Sequence, residues 1–124
     1  MKGSDIKSYR DLLVWQQAMD LAVLCYSLTR QFPKHEMFGM TSQIRRATAS
    51  VAANIAEGHG REHSGSFVQF LRIAQGSLKE AETHILLALR VGFCNETQAK
   101  PALAKSEEVG KMLRSLIRAI QDKQ

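Results

Sequence analysis

The sequence has few of the residues that cross-link or rigidify small proteins. It holds 2 cysteines and 2 prolines in 124 residues, and aromatic residues make up 6%. Cys25 and Cys94 stand about 70 residues apart in no metal-binding or redox motif, so we expect reduced thiols that fill apolar space. The low aromatic content also weakens any function that depends on stacking unpaired bases.

Long apolar segments are absent as well. Met1–Asp11 is polar and lacks the apolar centre of a signal peptide. No run of 18 apolar residues occurs, so the sequence predicts no membrane span and no membrane partner. We therefore expect a cytoplasmic protein.

Basic residues moderately outnumber acidic ones. Lysine and arginine number 17 against 12 acidic residues, which gives a formal net charge of +5 and a pI near 9.5. A basic balance favours RNA or DNA as a partner, although many small proteins carry as much charge.

Apolar residues recur with the helical period of 3.6 throughout the chain, and no segment alternates like a strand. We predict one all-α domain over residues 1–124, with helices at about 8–30, 41–57, 66–91 and 97–121. Pro33 ends the first helix, Gly58 and Gly60 stop the second, and Ser66 caps the third. Pro101 is comfortable only in the first turn of the fourth helix, whose start is ambiguous. Short connections favour an up-down antiparallel four-helix bundle.

More apolar residues occur than one bundle needs. On helix 1, Trp15 and Met19 belong to the stripe that we expect in the core, while another apolar row lies on the opposite face. The back face of helix 2 is small, which lets another helix approach. We predict a homo-oligomer whose interface contains Leu21, Leu24, Leu28, Ala49, Ala53, Ala56, Ile73 and Leu87. The alternative is that helix 1 is central and its second row is internal.

Arg45 and Arg46 form the sharpest candidate site. Two arginines near a helix N-terminus would bind phosphate well. The alternative role is structural, in which either arginine pairs with Glu36, Glu57 or an acid of a neighbouring subunit.

Basic residues also form stripes on helices 3 and 4. A stripe of this kind binds a nucleic-acid backbone, or it is a solvated face among scattered acids. The predicted nucleic-acid-binding residues are Arg45, Arg46, Arg61, Arg72, Lys79, Arg90, Lys111, Arg114 and Arg118. Lys100 lies on the same stripe of helix 4.

The segment 59–63 fits the inverted zinc-protease pattern H-x-x-E-H. Glycines flank and interrupt it, whereas the zinc motif requires an unbroken helix. A polar turn in which Glu57 and Arg61 pair is the better interpretation. No other pattern indicates a nucleophile, so we expect no catalytic residues, no metal, no cofactor and no enzymatic activity.

Several strings resemble one known family, the four-helix-bundle proteins of 23S rRNA intervening sequences. The strings are Asp11-Leu12 with Val14-Trp15-Gln16, Phe32-Pro33, Arg45-Arg46, Asn54-Ile55-Ala56-Glu57-Gly58, Ile73-Ala74 with Gly76-Ser77-Leu78, and Leu116-Ile117. The resemblance runs from about Tyr9 to Ile120. Met40 stands where leucine is usual, and Ala52-Ala53 where Pro-Ala is common.

The resemblance implies a left-handed four-helix bundle that assembles into a homopentameric ring in a bacterial protein. A similar bundle is the accessory protein of diversity-generating retroelements, implicated in binding nucleic acid and a reverse transcriptase. The resemblance carries no enzymatic activity. Two functions follow as expectations: an oligomeric basic bundle that binds RNA or other nucleic acid through phosphate contacts, or a scaffold that presents a basic surface to a partner protein.

Overall fold

The computed structural model describes residues 6–123, which form helices and short connections. The four long helices are α1 (Leu13–Thr29), α2 (Met40–Gly60), α3 (Ser64–Arg90) and α4 (Glu96–Asp122). Single 3-10 turns occur at Tyr9–Asp11 and Lys34–Glu36. The described residues contain no strand, so the all-α prediction is confirmed. None of the helices between residues 6 and 123 combines the length and the apolar character that a bilayer crossing requires.

Each helix packs against two neighbours, so that α1, α2, α3 and α4 follow one another around a common core. Cross-helix contacts show that neighbours run antiparallel. Glu82 of α3 contacts Ser106 of α4, and Leu78 of α3 lies beside Gly110 of α4. Residue numbers therefore rise along one helix as they fall along the other, which is the antiparallel arrangement. This up-down order agrees with the prediction from short connections, while the left-handed twist and the ring stay predictions.

The orientation of α1 differs from the prediction. Leu21 and Leu28 are 0% and 4% exposed, in the core, whereas Met19 of the expected core stripe is 41% exposed. The assignment of Leu21 and Leu28 to an oligomer interface was therefore wrong. Leu24, which was assigned to the same interface, is half-buried against the core. Both faces of α1 are apolar, so periodicity alone could not decide which one meets the other helices.

Side chains that accept hydrogen bonds from backbone amides cap the turn Tyr9–Asp11 and the start of α3. Ser8 caps the separate turn Tyr9–Asp11, and α1 starts afterwards at Leu13 rather than at residue 8. Backbone hydrogen bonds from Lys7 and Ser8 lower the pKa of Asp11. Helix α3 starts at Ser64, because Nδ1 of His63 accepts a hydrogen bond from the Ser66 amide at 3.2 Å.

The start of α4 corrects the expectation for its proline. Asn95 and Gln98 form a reciprocal capping box that fixes the N-terminus of the helix at Glu96. Pro101 therefore lies in the second turn, past the position that suits proline best, with its ring exposed.

Gly58 has a different role from the predicted one. It lies inside α2, which continues to Gly60, and it is buried against α3. A Cβ at this position would lie 2.6 Å from the Cβ of Phe70 and 3.1 Å from Cδ1 of Phe67. The missing side chain allows α2 and α3 to approach closely at this end of the molecule.

Candidate nucleic-acid interface

A groove of about 460 Å³ runs between α3 and α4, on the side of the molecule opposite the seam of α1 and α2. Its walls combine basic, acidic and aliphatic side chains. The lining residues are Lys79, Glu82, Leu86, Leu103, Ser106, Glu107, Gly110, Lys111 and Arg114. Three predicted nucleic-acid-binding residues, two from α4 and one from α3, therefore meet in one groove.

Glu82 makes two polar contacts inside the groove. One carboxylate oxygen of Glu82 accepts a hydrogen bond from the Ser106 hydroxyl across the two helices at 2.6 Å. The other oxygen lies 3.0 Å from Nζ of Lys79. The Glu82 side chain is only 20% exposed, and Ser106 is buried, so this acid is fixed at the bottom of the groove.

The rims of the groove extend the positive charge along both helices. Since Leu78 lies beside Gly110, antiparallel registry puts Arg72 at about the level of Arg118. Arg72 lies seven residues before Lys79 on α3, which corresponds to roughly 10 Å along the helix axis. Five predicted bases, Arg72, Lys79, Lys111, Arg114 and Arg118, thus belong to this one side of the molecule.

Two of these bases, Lys111 and Arg72, make only weak polar contacts. Nζ of Lys111 lies 3.9 Å from Glu107, whose side chain is 74% exposed, and a guanidinium nitrogen of Arg72 lies 3.2 Å from the Gln75 amide oxygen. Exposed pairs of this kind contribute ~0–1 kcal/mol. A phosphate can therefore replace them at small cost.

The two arginines near the start of α2, Arg45 and Arg46, have different surroundings. Nε of Arg45 donates to the Thr29 hydroxyl at 2.9 Å, and its guanidinium lies 4.5 Å from the centre of the Tyr26 ring. Arg45 thus joins α2 to α1, by contacts other than the acidic partners that the structural alternative named. Arg46 is exposed and lines a smaller cavity of about 170 Å³ with Ser50 and Glu80, between α2 and α3.

The remaining predicted bases lie apart from the groove. Arg61 pairs with Glu57 at 3.9 Å, as the sequence predicted, and its guanidinium lies 5.1 Å from the Phe70 ring centre. Arg90 is in the last turn of α3, at the opposite end of that helix from Arg72. The structure therefore brings together five of the nine predicted residues and leaves four elsewhere.

A second groove, of about 640 Å³, separates α1 from α2 and is apolar. Its wall on α1 contains the stripe that the sequence analysis assigned to the core, and its floor on α2 is made of alanines. The lining residues are Tyr9, Trp15, Met19, Ala22, Val23, Tyr26, Arg30, Ala49, Ala52, Ala53 and Ala56. Ala49, Ala53 and Ala56 thus lie on an accessible face, as do the predicted interface residues Ile73 and Leu87 of α3.

The histidines and cysteines have structural surroundings. His63 caps α3, and the ring of His59 packs edge-on against Phe67 with 5.7 Å between centres. Residues 6–123 contain no group of three or more metal-ligating side chains. Burial raises the pKa of Cys25 to about 12 and also raises the pKa of Cys94, which suits the predicted filling of apolar space.

Sequence reasoning missed two polar residues of the α3/α4 groove. Glu82 was visible only as one scattered acid, and Ser106 carried no pattern. Their contact joins positions 24 residues apart, so it depends on the registry of α3 with α4. A register prediction for the antiparallel pair could have aligned them.

The model of the 23S rRNA-intervening sequence protein family matches residues 10–115 of the chain. The chain belongs to this family. A crystal structure of a protein of unknown function, from the S23 ribosomal protein family of Bacteroides thetaiotaomicron, is similar to this intervening-sequence protein. The two share 27% sequence identity and a TM-score of 0.75, over 85% of this chain and 98% of the other. No curated protein matches the chain.

Proposed function

We propose that this protein is a non-enzymatic, oligomeric helical bundle that binds RNA or other nucleic acid through phosphate contacts. The observation that carries the proposal is the convergence of Lys79, Lys111 and Arg114 in the groove between α3 and α4. Arg72 and Arg118 extend the same basic surface along the two helices. Side chains of this kind neutralise phosphates and release counterions, which drives binding without base recognition.

The family and its relatives support a nucleic-acid partner only in a general way. The family description refers to sequences inserted in 23S rRNA, and the similar crystal structure is attributed to a ribosomal protein family. Both descriptions concern RNA genes or RNA-containing particles. The charge arrangement of the α3/α4 groove, rather than these names, gives the proposal its testable content.

A salt titration of RNA binding tests the proposal. Five phosphate contacts predict that the logarithm of the association constant falls with the logarithm of salt concentration with a slope of about four to five. Arg114→Gln should make the slope shallower by about one unit, since it removes one contact. Arg61→Gln is the matched control, because Arg61 pairs with Glu57 outside the groove, and it should leave the slope unchanged.

Weak binding at low salt with a flat slope would end the proposal. Equal effects of Arg114→Gln and Arg61→Gln would show that net charge, rather than this groove, attracts the nucleic acid.

Self-association is the second part of the proposed function. The α1/α2 groove exposes Val23 beside a floor of alanines, and Phe38 near one end of it is 95% exposed. Apolar surface of this extent is usually covered in solution. We infer that copies of the chain pack through this groove and through Ile73 and Leu87, in a ring that the family resemblance makes pentameric. Sedimentation that finds only single chains at working concentration would refute this inference.

The same apolar groove favours one alternative function, a scaffold that binds a partner protein. In that case the basic α3/α4 surface complements an acidic patch on the partner. Purification with and without nuclease separates the two functions. A protein that stays bound after nuclease treatment favours the scaffold, whereas co-purifying nucleic acid favours the first function.

A further inference from the structure

A row of exposed side chains runs along the outer face of α3, on the side next to α2. Its members are Ile73, Glu80 and Leu87, which recur every seven residues, or about two helical turns. Ile73 and Leu87 are 47% and 45% exposed. Glu80 lines a small cavity together with Arg46 and Ser50 of α2. These three residues, the α3 row, therefore border the same helix whose other side forms the alanine floor of the α1/α2 groove.

The α3 row and the α1/α2 groove match in height along the bundle. The hydroxyls of Ser77 and Ser50 lie 2.9 Å apart, which sets the registry of α3 against α2. Ile73 comes four residues before Ser77, so it lies four residues beyond Ser50, at the level of the alanine floor. Leu87 comes ten residues after Ser77, at the level where α2 begins and Phe38 is 95% exposed. Copies related by rotation about an axis parallel to the helices keep these heights, so both apolar members of the row would meet apolar surface.

The acid in the middle of the row also has a complement at its own height. Glu80 is exposed and forms no ion pair within residues 6–123, and the same is true of the guanidinium of Arg45 with respect to carboxylates. Arg45 lies at nearly the level of Glu80, with its guanidinium over the Tyr26 ring at the edge of the groove. An acid of a neighbouring subunit is one of the partners that the sequence allowed for this arginine.

The two surfaces lie on adjacent sides of the bundle, because both flank α2. Adjacent sides of a four-helix bundle face directions about 90° apart. When one side of a copy meets the other side of the next, the contact is heterologous and each step turns the direction of the assembly. Steps of this size close a ring after about four to six copies, whereas a contact between opposite sides would produce an open filament.

We propose that the α1/α2 groove of each copy receives the α3 row of the next copy, with Glu80 against Arg45. This inference rests on the proposed self-association and names the two surfaces that meet. Helix α2 belongs to both surfaces, so it lies on the inner side of the ring, and α4 lies on the outer side. The basic α3/α4 groove stays accessible from outside for the proposed binding of RNA.

Breaking each surface in a different chain tests this pairing. Ala53→Glu puts a charge on the floor of the groove, and Ile73→Glu puts one in the α3 row. Leu86→Glu is the matched control, because Leu86 is a 50% exposed leucine of α3 that lines the α3/α4 groove instead. Each variant is measured alone and in equimolar mixture by sedimentation velocity, and circular dichroism verifies that its helices are intact.

We expect Ala53→Glu and Ile73→Glu each to sediment as single chains, since every contact needs one intact groove and one intact row. Their mixture should form dimers and nothing larger. The intact row of the Ala53→Glu chain fits the intact groove of the Ile73→Glu chain, and the surfaces left at the two ends of that dimer are broken. Leu86→Glu should assemble like the wild type.

The mixed dimer also isolates the contact of Glu80 with Arg45. Glu80→Gln in the Ala53→Glu chain, which contributes the row, should raise the Kd of the mixed dimer several-fold at low salt and less at high salt, because salt screens the ion pair. The same substitution in the Ile73→Glu chain, whose row is already broken, should leave the Kd unchanged. Equal effects in the two chains would overturn this contact.

Three outcomes would overturn the pairing of groove and row while self-association stands. Full assembly of Ile73→Glu alone would remove the α3 row from the interface. Dimers of either variant on its own would show that like surfaces meet like, and a mixture without dimers would show that the groove and the row do not face each other. A wild type that sediments as a single chain would instead refute the proposed self-association itself.

Discussion

The two grooves on opposite sides of this molecule have almost nothing chemical in common. The α1/α2 groove is lined by Trp15, Met19, Tyr26 and alanines, and its polar surface is small. The α3/α4 groove has no aromatic lining residue and combines basic side chains with Glu82, which Ser106 and Lys79 hold in place. The difference shows that outward-facing positions of one helical core can build an apolar surface and an ionic surface side by side, each suited to a different kind of contact.

The wall of the apolar groove on α2 consists of small residues, and the wall on α1 consists mostly of large ones. Ala53 on α2 leaves room for a side chain or a helix of a second copy, and Val23 on α1 provides apolar area for it to cover. The ionic groove has the opposite design, since long charged side chains rise from both helices. The basic surface, which would repel its own copy, is thus well separated from the apolar surface through which we propose that copies associate.

The largest expected effect comes from breaking the apolar groove alone. Ala53→Glu places a charge on the exposed floor of the groove, where a packed copy would have to bury it at a cost of several kcal/mol. We expect the oligomer to dissociate to single chains, as measured by sedimentation velocity. The fold should persist, since Ala53 is exposed and glutamate is a good helix former.

Ala119→Glu is the matched control, because Ala119 is also an exposed helical alanine but lies on α4 outside the groove. It should leave assembly unchanged. An oligomer that survives Ala53→Glu would show that copies associate through another surface. Loss of assembly in both variants would point to net charge as the cause.

Much of the fold could be predicted from the sequence, and the reason is the single apolar stripe of most helices. In α2 and α3 the apolar residues Ile44, Val51, Leu78 and Ile85 follow the helical period and are buried. Helix α1 failed the same test because it has two apolar faces. Trp15 and Met19 have the helical spacing of a core stripe, yet the groove leaves them partly uncovered and Leu21 is in the core.

The candidate site, like the fold, could be predicted from the sequence only in part. The basic stripes of α3 and α4 could be predicted, since Lys111, Arg114 and Arg118 share one face of a continuous helix. The contact of Glu82 with Ser106 could not, because it depends on which turn of α3 meets that serine. The role of Arg45 was equally hidden, since its partners Tyr26 and Thr29 come from another helix.

The seam of α2 and α3 joins the two sides of the molecule, and a smaller effect is expected there. Gly58→Ala should lower the free energy of unfolding by about 1–3 kcal/mol, because the new Cβ would overlap Phe70 and force the helices apart. Chemical denaturation measures the change. Both grooves should be affected through the shared core, which makes this substitution a test of how independent they are.

Gly76→Ala provides the control, since no atom beyond the neighbouring backbone of its own helix lies within 4 Å of the position that its Cβ would occupy. This change in an exposed part of α3 should stabilise the protein by about 0.5–1 kcal/mol. If Gly58→Ala were equally stabilising, the close approach of α2 and α3 would not be the reason for the glycine.

The smallest expected effect separates Arg45 from the bases of the ionic groove. Arg45→Gln removes the guanidinium from the Tyr26 ring and the hydrogen bond to Thr29, so it should lower the free energy of unfolding by about 1 kcal/mol. RNA affinity should stay the same, because Arg45 serves the α1/α2 side. Arg114→Gln should do the reverse, with weaker RNA binding at unchanged stability.

Arg46→Gln, at the exposed neighbour, controls for the loss of one charge from α2 and should leave stability unchanged. If Arg45→Gln instead weakened RNA binding as strongly as Arg114→Gln and left stability intact, phosphate contacts would extend to the apolar side, and the division of labour between the two grooves would be wrong.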